Sequence, residues 1–171
     1  ARRAYAQGGS AESLRPVQEA IASLERHGAD APGPPRIAAL VLRAASAAAQ
    51  SERDEMALFL AEAIRLEALQ IAAGQPPAPI ISAHEAAGDL WLQVHRFDDA
   101  RRAYDEAVVQ VGANPRIAVG RARIAARSGD VAACGVYRNL LDWWGKRPGE
   151  PPEIAEARGY VLTPSCVQPR R

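Results

Sequence analysis

Apolar residues recur along this chain at helical spacing from one end to the other, and no segment alternates with the period of a strand. Valine and isoleucine are scattered, while alanine, leucine, glutamate and arginine dominate, a mixture that favours helix. The pattern predicts a first helix from about Ser13 to His27, with Pro16 tolerated in its first turn and Gly28 just past its end. ADAPGPP, residues 29 to 35, reads as a connector. A second helix is predicted from near Pro35 to about Gln50, carrying Ile37, Leu40, Val41 and Ala44 on one face. Ser51 followed by Asp54 suggests a capping arrangement that opens a third helix, which ends at Gly74.

GQPPAP, residues 74 to 79, is the strongest break inside the chain. Beyond it the pattern predicts a fourth helix from about Ile80 to Val94 and a fifth from Asp98 to near Gly112. Asn114 caps a sixth, with Pro115 in its first position and its end near Arg127. Gly129 and Asp130 turn the chain into a seventh that includes YRNLLDWW. A short eighth, PPEIAEARGY, folds back over the end. The expectation is an all-α chain of seven to eight helices, paired antiparallel because the connectors are so short.

The segment GDLWLQVHRFDDARRAY, residues 88 to 104, sets a glycine and an alanine where an amphipathic helix would carry leucine, beside the bulky Trp91 and Tyr104. Aligning the helices that follow each turn places alanines at 20, 57, 100 and 133. Four residues later stand Leu24, Ala61, Tyr104 and Tyr137, and three after those His27, Ile64, Ala107 and Leu140. Small side chains let two helices approach closely, and the rings fill the space between one pair and the next.

Gly88, Trp91, Ala100, Tyr104 and Ala107 stand at the spacing of the tetratricopeptide repeat, a family that this chain resembles. Ala133, Tyr137 and Leu140 repeat the packing set in the following unit. His84 replaces the usual tryptophan, Ala87 the usual leucine, and the proline comes late, at Pro115. The resemblance implies an α-α superhelix in a single domain, 1–171. Within it, 1–73 holds degenerate N-terminal helices, 80–145 two better-matched units, and 146–171 a capping helix and tail. The stretch from SAHEAAGDLWL to PPEIAEAR also resembles the terminal part of bacterial tetratricopeptide proteins of unassigned role that are often exported, which tilts the expected location towards the periplasm.

The resemblance further implies a concave ligand face built from the first helix of each pair. In one unit this face is Ser82, Glu85, Asp89, Leu92 and Gln93; in the next it is Arg116, Val119, Arg123 and Arg127. The three arginines share one helix face, and guanidinium forks suit the carboxylates of a partner peptide. The competing reading is that the acidic and basic patches interlock between adjacent units. The lysine and asparagine set used by chaperone-tail-binding members is not evident.

Composition narrows the remaining classes. With 21 basic and 20 acidic residues the net charge of +1 supplies no general field for nucleic acid or an anionic membrane. The longest uncharged run, Ala68 to His84, contains Gly74, Pro76, Pro77 and Pro79, which would break a spanning helix, so no membrane span is expected. The chain starts at Ala1, as a processed product or a cut piece would. Cys134 and Cys166 either form a bridge that pins the tail to a helix or remain two idle thiols.

HEAAG, residues 84 to 88, opens like a zinc-protease helix, but glycine stands where the second histidine belongs. His95 lies roughly 16 Å further along the axis at about 1.5 Å per residue, too far to share an ion with His84. His27 is distant in sequence. No serine sits in a nucleophile elbow, and Lys146 follows DWWG rather than a phosphate-cradling loop. No catalytic residue, metal ligand or cofactor is assigned. The expected function is a non-catalytic protein- or peptide-binding module. The alternatives are a self-assembling subunit that uses the exposed face of the degenerate first pair, or Trp143 and Trp144, or else a metal carrier or enzyme on the same scaffold.

Overall fold

A computed structural model describes residues 10–27, 33–77, 81–145 and 151–167. Over these residues the chain is all-helical, with no strand. The helices are α1 (Ala11–His27), α2 (Pro34–Ala49), α3 (Arg53–Ala72), α4 (Ala83–Gln93), α5 (Phe97–Val111), α6 (Pro115–Arg127), α7 (Ala133–Trp144), α8 (Pro152–Val161) and α9 (Pro164–Val167). Most of the 29–35 connector and part of the proline break lie outside the described residues, as does Lys146. No described helix is long and apolar enough to cross a membrane.

Helix ends follow local chemistry. The Asn114 side chain accepts the amide of Ile117 at 3.0 Å, with Pro115 in the first turn of α6. Ser82 does the same for α4, accepting from Glu85 N at 3.1 Å, so α4 starts at Ala83 rather than near Ile80. The expected Ser51 cap is corrected. Ser51 has φ +65° and closes α2, while Glu52 precedes α3 without a side-chain cap bond. The Ser51 amide donates to Ala48 O and the Glu52 amide to Ala47 O, the paired bonds of a Schellman ending. The same two bonds recur around His95 (φ +61°) and Gly129 (φ +74°), so each turn between α2 and α3, α4 and α5, and α6 and α7 has one geometry. The histidine at 95 is thus a turn residue, its ring set edge-on to Phe97.

The even-numbered helices form a row in which α2 touches α4, α4 touches α6, and α6 touches α8. Each odd helix from α3 to α7 packs against the even helices before and after it, and α1 packs on α2. The core runs along the row as three clusters. Ala44, Met56, Leu60, Ala87 and Leu90 join the first pair to the second; Leu92, Tyr104, Ile117 and Ile124 join the second to the third; Val119, Tyr137, Leu140, Ile154 and Ala157 join the third to α8.

Gly88, Ala100, Tyr104, Ala107, Ala133, Tyr137 and Leu140 are all buried, and Trp91 is half-buried against two core clusters. A Cβ added at Gly88 would lie 2.6 Å from Tyr104 Cδ1, so the glycine makes room for the ring. Gly120 on α6, absent from the expected packing set, would meet Tyr104 Cε1 at 2.8 Å. Tyr104 is therefore slotted between two glycines from successive even helices.

In the first half the alignment is out of frame. Ala61 and His27 are exposed, whereas Met56, Leu60 and Ala63 face the core of α3 and Leu14, Val17 and Ile21 that of α1. Met56, Leu60 and Ala63 thus repeat the spacing of Ala100, Tyr104 and Ala107. Alanine was a poor anchor for the register because alanines occupy both faces of these helices.

Candidate functional site

The even row leaves an open groove of about 480 Å³ against α4, α6 and α8. Asp89, Leu92 and Gln93 come from α4, Arg123, Ala126 and Arg127 from α6, Tyr137 from α7, and Glu156 and Tyr160 from α8. Helical spacing explains the selection, since positions three and four apart share a face.

Charges in and beside the groove are largely matched within the chain. Arg123 grips Glu156 with both forks, through Nε to Oε1 at 2.7 Å and Nη2 to Oε2. That bond to Glu156 holds the Arg123 pKa above its ordinary value. The Tyr137 hydroxyl donates to the same carboxylate at 3.3 Å, and its ring stacks on Tyr160 at 4.1 Å. The Tyr104 hydroxyl donates to Asp89 Oδ1 at 2.7 Å. Burial, and secondarily these carboxylates, push both phenols above the usual tyrosine range.

Arg116 donates through Nε to the buried Glu85 Oε1 at 2.6 Å, with Asp89 Oδ2 4.0 Å from its Nη2. Asn114 Nδ2 donates to the other Glu85 oxygen at 3.4 Å. Arg127 differs: Nη1 reaches Leu92 O at 3.4 Å, and among the described residues no carboxylate lies within ion-pair distance. A guanidinium has five N–H donors, so most of its capacity faces outward.

No family model, curated protein or solved structure matches this chain.

The nine positions expected on the ligand face divide into three sets. Asp89, Leu92, Gln93, Arg123 and Arg127 line the groove together. Glu85 and Arg116 pair with each other beside it. Ser82 and Val119 are corrected: Ser82 is 3% exposed and serves as the α4 cap, and Val119 is 1% exposed within the core, so neither reaches a ligand. The acidic and basic sets do interlock through Arg116 and Glu85, but Arg123 pairs instead with Glu156 on α8.

Ala126, Glu156 and Tyr160 line the groove without having been expected from the sequence, and the last two supply its polar groups from α8. EIAEARGY places Glu156 and Tyr160 on one helical face, but a partner 33 residues away emerges only once α8 is known to continue the row. Cys134 and Cys166 are bonded, S–S 2.06 Å. His84 is half-buried on α4, and the exposed His27 ring lies 2.7 Å from Ser23 O. Among the described residues no three histidine, cysteine, aspartate or glutamate side chains converge as a metal-binding group.

Proposed function

We propose that the chain is a tetratricopeptide-like scaffold that binds a protein segment along the α4–α6–α8 groove and makes or breaks no covalent bonds in it. The observation that carries this reading is the groove itself, open to solvent and walled by three alternate helices. Its rim presents the Arg127 guanidinium, which donates to Leu92 O and has no ion-pair partner among the described residues, beside fixed polar groups. The Arg123–Glu156 fork and the Tyr104–Asp89 bond hold the walls in place before a partner arrives, which lowers the ordering cost of binding.

The test is selection from a library of displayed linear peptides on the full chain, followed by amide exchange with a selected peptide. Protection concentrated in α4, α6 and α8, with at least tenfold weaker binding by Arg127→Glu, is expected. No enrichment over a control helical protein, or protection confined to other helices, rejects the proposal. Arg127 is the better probe than Arg123, whose reversal would also expel Glu156.

A second reading rests on Trp143, which is 78% exposed on α7 and suits self-association. Sedimentation across a wide concentration range decides it. A dimer lost in Trp143→Ser supports it, and a monomer throughout rejects it.

A further inference from the structure

The bridge between Cys134 on α7 and Cys166 on α9 closes a covalent loop that contains all of α8. One further bond seats α9 on α7: Arg138 Nη2 donates to Cys166 O at 2.8 Å. Inside the loop, α8 packs on α6 and α7: Tyr160 stacks on Tyr137, the Tyr137 hydroxyl donates to Glu156, and Arg158 Nη2 donates to Gly145 O at 2.9 Å. It buries Ile154 and Ala157, and Glu156 reaches Arg123. The same helix supplies Glu156 and Tyr160 to the groove.

We propose that the Cys134–Cys166 bridge is a redox-sensitive clasp that holds α8 in place as the third wall of the groove. Its bearing on ligand binding rests on the reading of the groove given above; its effect on α8 does not. A closed loop restricts the opened state of the segment it spans, so cutting the loop favours opening of α8 and α9 while the earlier helices keep their contacts.

Opening proceeds by thiol–disulfide exchange with an external thiol as reductant. The thiolate attacks Sγ of Cys134, the half-exposed member of the pair, forming a mixed disulfide, and Cys166 leaves as a thiolate that takes up a proton. A second external thiolate then attacks the external sulfur of that mixed disulfide. The external pair departs as a disulfide, and Cys134 becomes a thiol. The two electrons held by Cys134 and Cys166 come from the two external thiols. Closure is the reverse, with an external disulfide as oxidant.

Amide exchange of the full chain, oxidised and then reduced with dithiothreitol, tests the clasp, with Cys134→Ser/Cys166→Ser as a second form that cannot close. Exchange at least tenfold faster in α8 and α9, with α2 to α5 unchanged, is expected for both open forms. Unchanged protection of α8 after thiol labelling has shown the bridge open overturns the proposal, as does loss of protection throughout the chain. Two freely alkylated cysteines in the untreated, air-exposed protein would also overturn it. Peptide binding is a separate readout: if α8 loosens while no peptide binds in either state, the clasp stands and the groove reading fails.

Discussion

The α2–α3 and α4–α5 pairs meet the same packing problem with different residues. Where α4 and α5 bring Gly88 against Tyr104, the corresponding positions of α2 and α3 are Ala44 and Leu60, which belong to one buried cluster. A leucine against alanine fills its slot with hydrocarbon alone. A tyrosine carries a hydroxyl that needs an acceptor when buried, and here it takes Asp89. The position matching Asp89 in α2 is Ala45, 6% exposed and apolar. Choosing the larger ring thus demanded a glycine on one side, a second glycine at 120 on the other, and a fixed carboxylate at the groove. Polarity of the groove follows from how the core was filled.

Truncating the two rivals gives the widest separation. Leu60→Ala should lose about 2–4 kcal/mol of stability and Tyr104→Ala about 1 kcal/mol more than that, as measured by urea unfolding. Equal losses would mean that the ring contributes no more than the leucine and would break the contrast.

Gly88→Ala comes next. Alanine is the better helix former by about 1 kcal/mol, but its Cβ would press on a ring with no accessible surface, so a net loss of about 1–3 kcal/mol is expected in the same assay. Adding Tyr104→Leu should cancel part of that loss, because the double variant restores the α2–α3 solution. Strict additivity would show that Gly88 and Tyr104 do not share one slot.

Alkaline pH should give the smallest effect near its onset. Tyr104 and Tyr137 are neutral when protonated, and both pKa values are raised in the folded chain. The unfolded phenols release their protons first, so this stability is intact below about pH 10 and declines as the pH climbs towards the folded values. Urea midpoints between pH 9 and 11 check the slope, which Tyr104→Phe/Tyr137→Phe should flatten. A flat wild-type profile would remove the claim that these hydroxyls are held from solvent.

Much of this architecture was legible because helix ends announce themselves. Asn114–Pro115, Gly74, Gly112 and Gly129 each lie at or beside the helix end they foretold, through side-chain caps or positive φ. Ser51 misled because serine is both a capping residue and, less often, a tolerated left-handed one, and the Schellman bonds that decide between them depend on where α2 stops. Within 88–107 the small and aromatic residues revealed the close approach. Gly120 was overlooked although a glycine inside a helix costs enough to demand a reason. Groove partners were less readable, because Arg123 with Glu156 and Arg116 with Glu85 are joined only by the lateral stacking of helices about 30 residues apart in the chain.

The bridge also determines how the molecule responds to tension. A force drawn through the two termini enters at one bridged sulfur and leaves at the other, so the segment between them, a sequence separation of 32, bears none of it. Roughly 110 Å of contour, at about 3.4 Å per residue, is thereby withheld from extension until the S–S bond is cut.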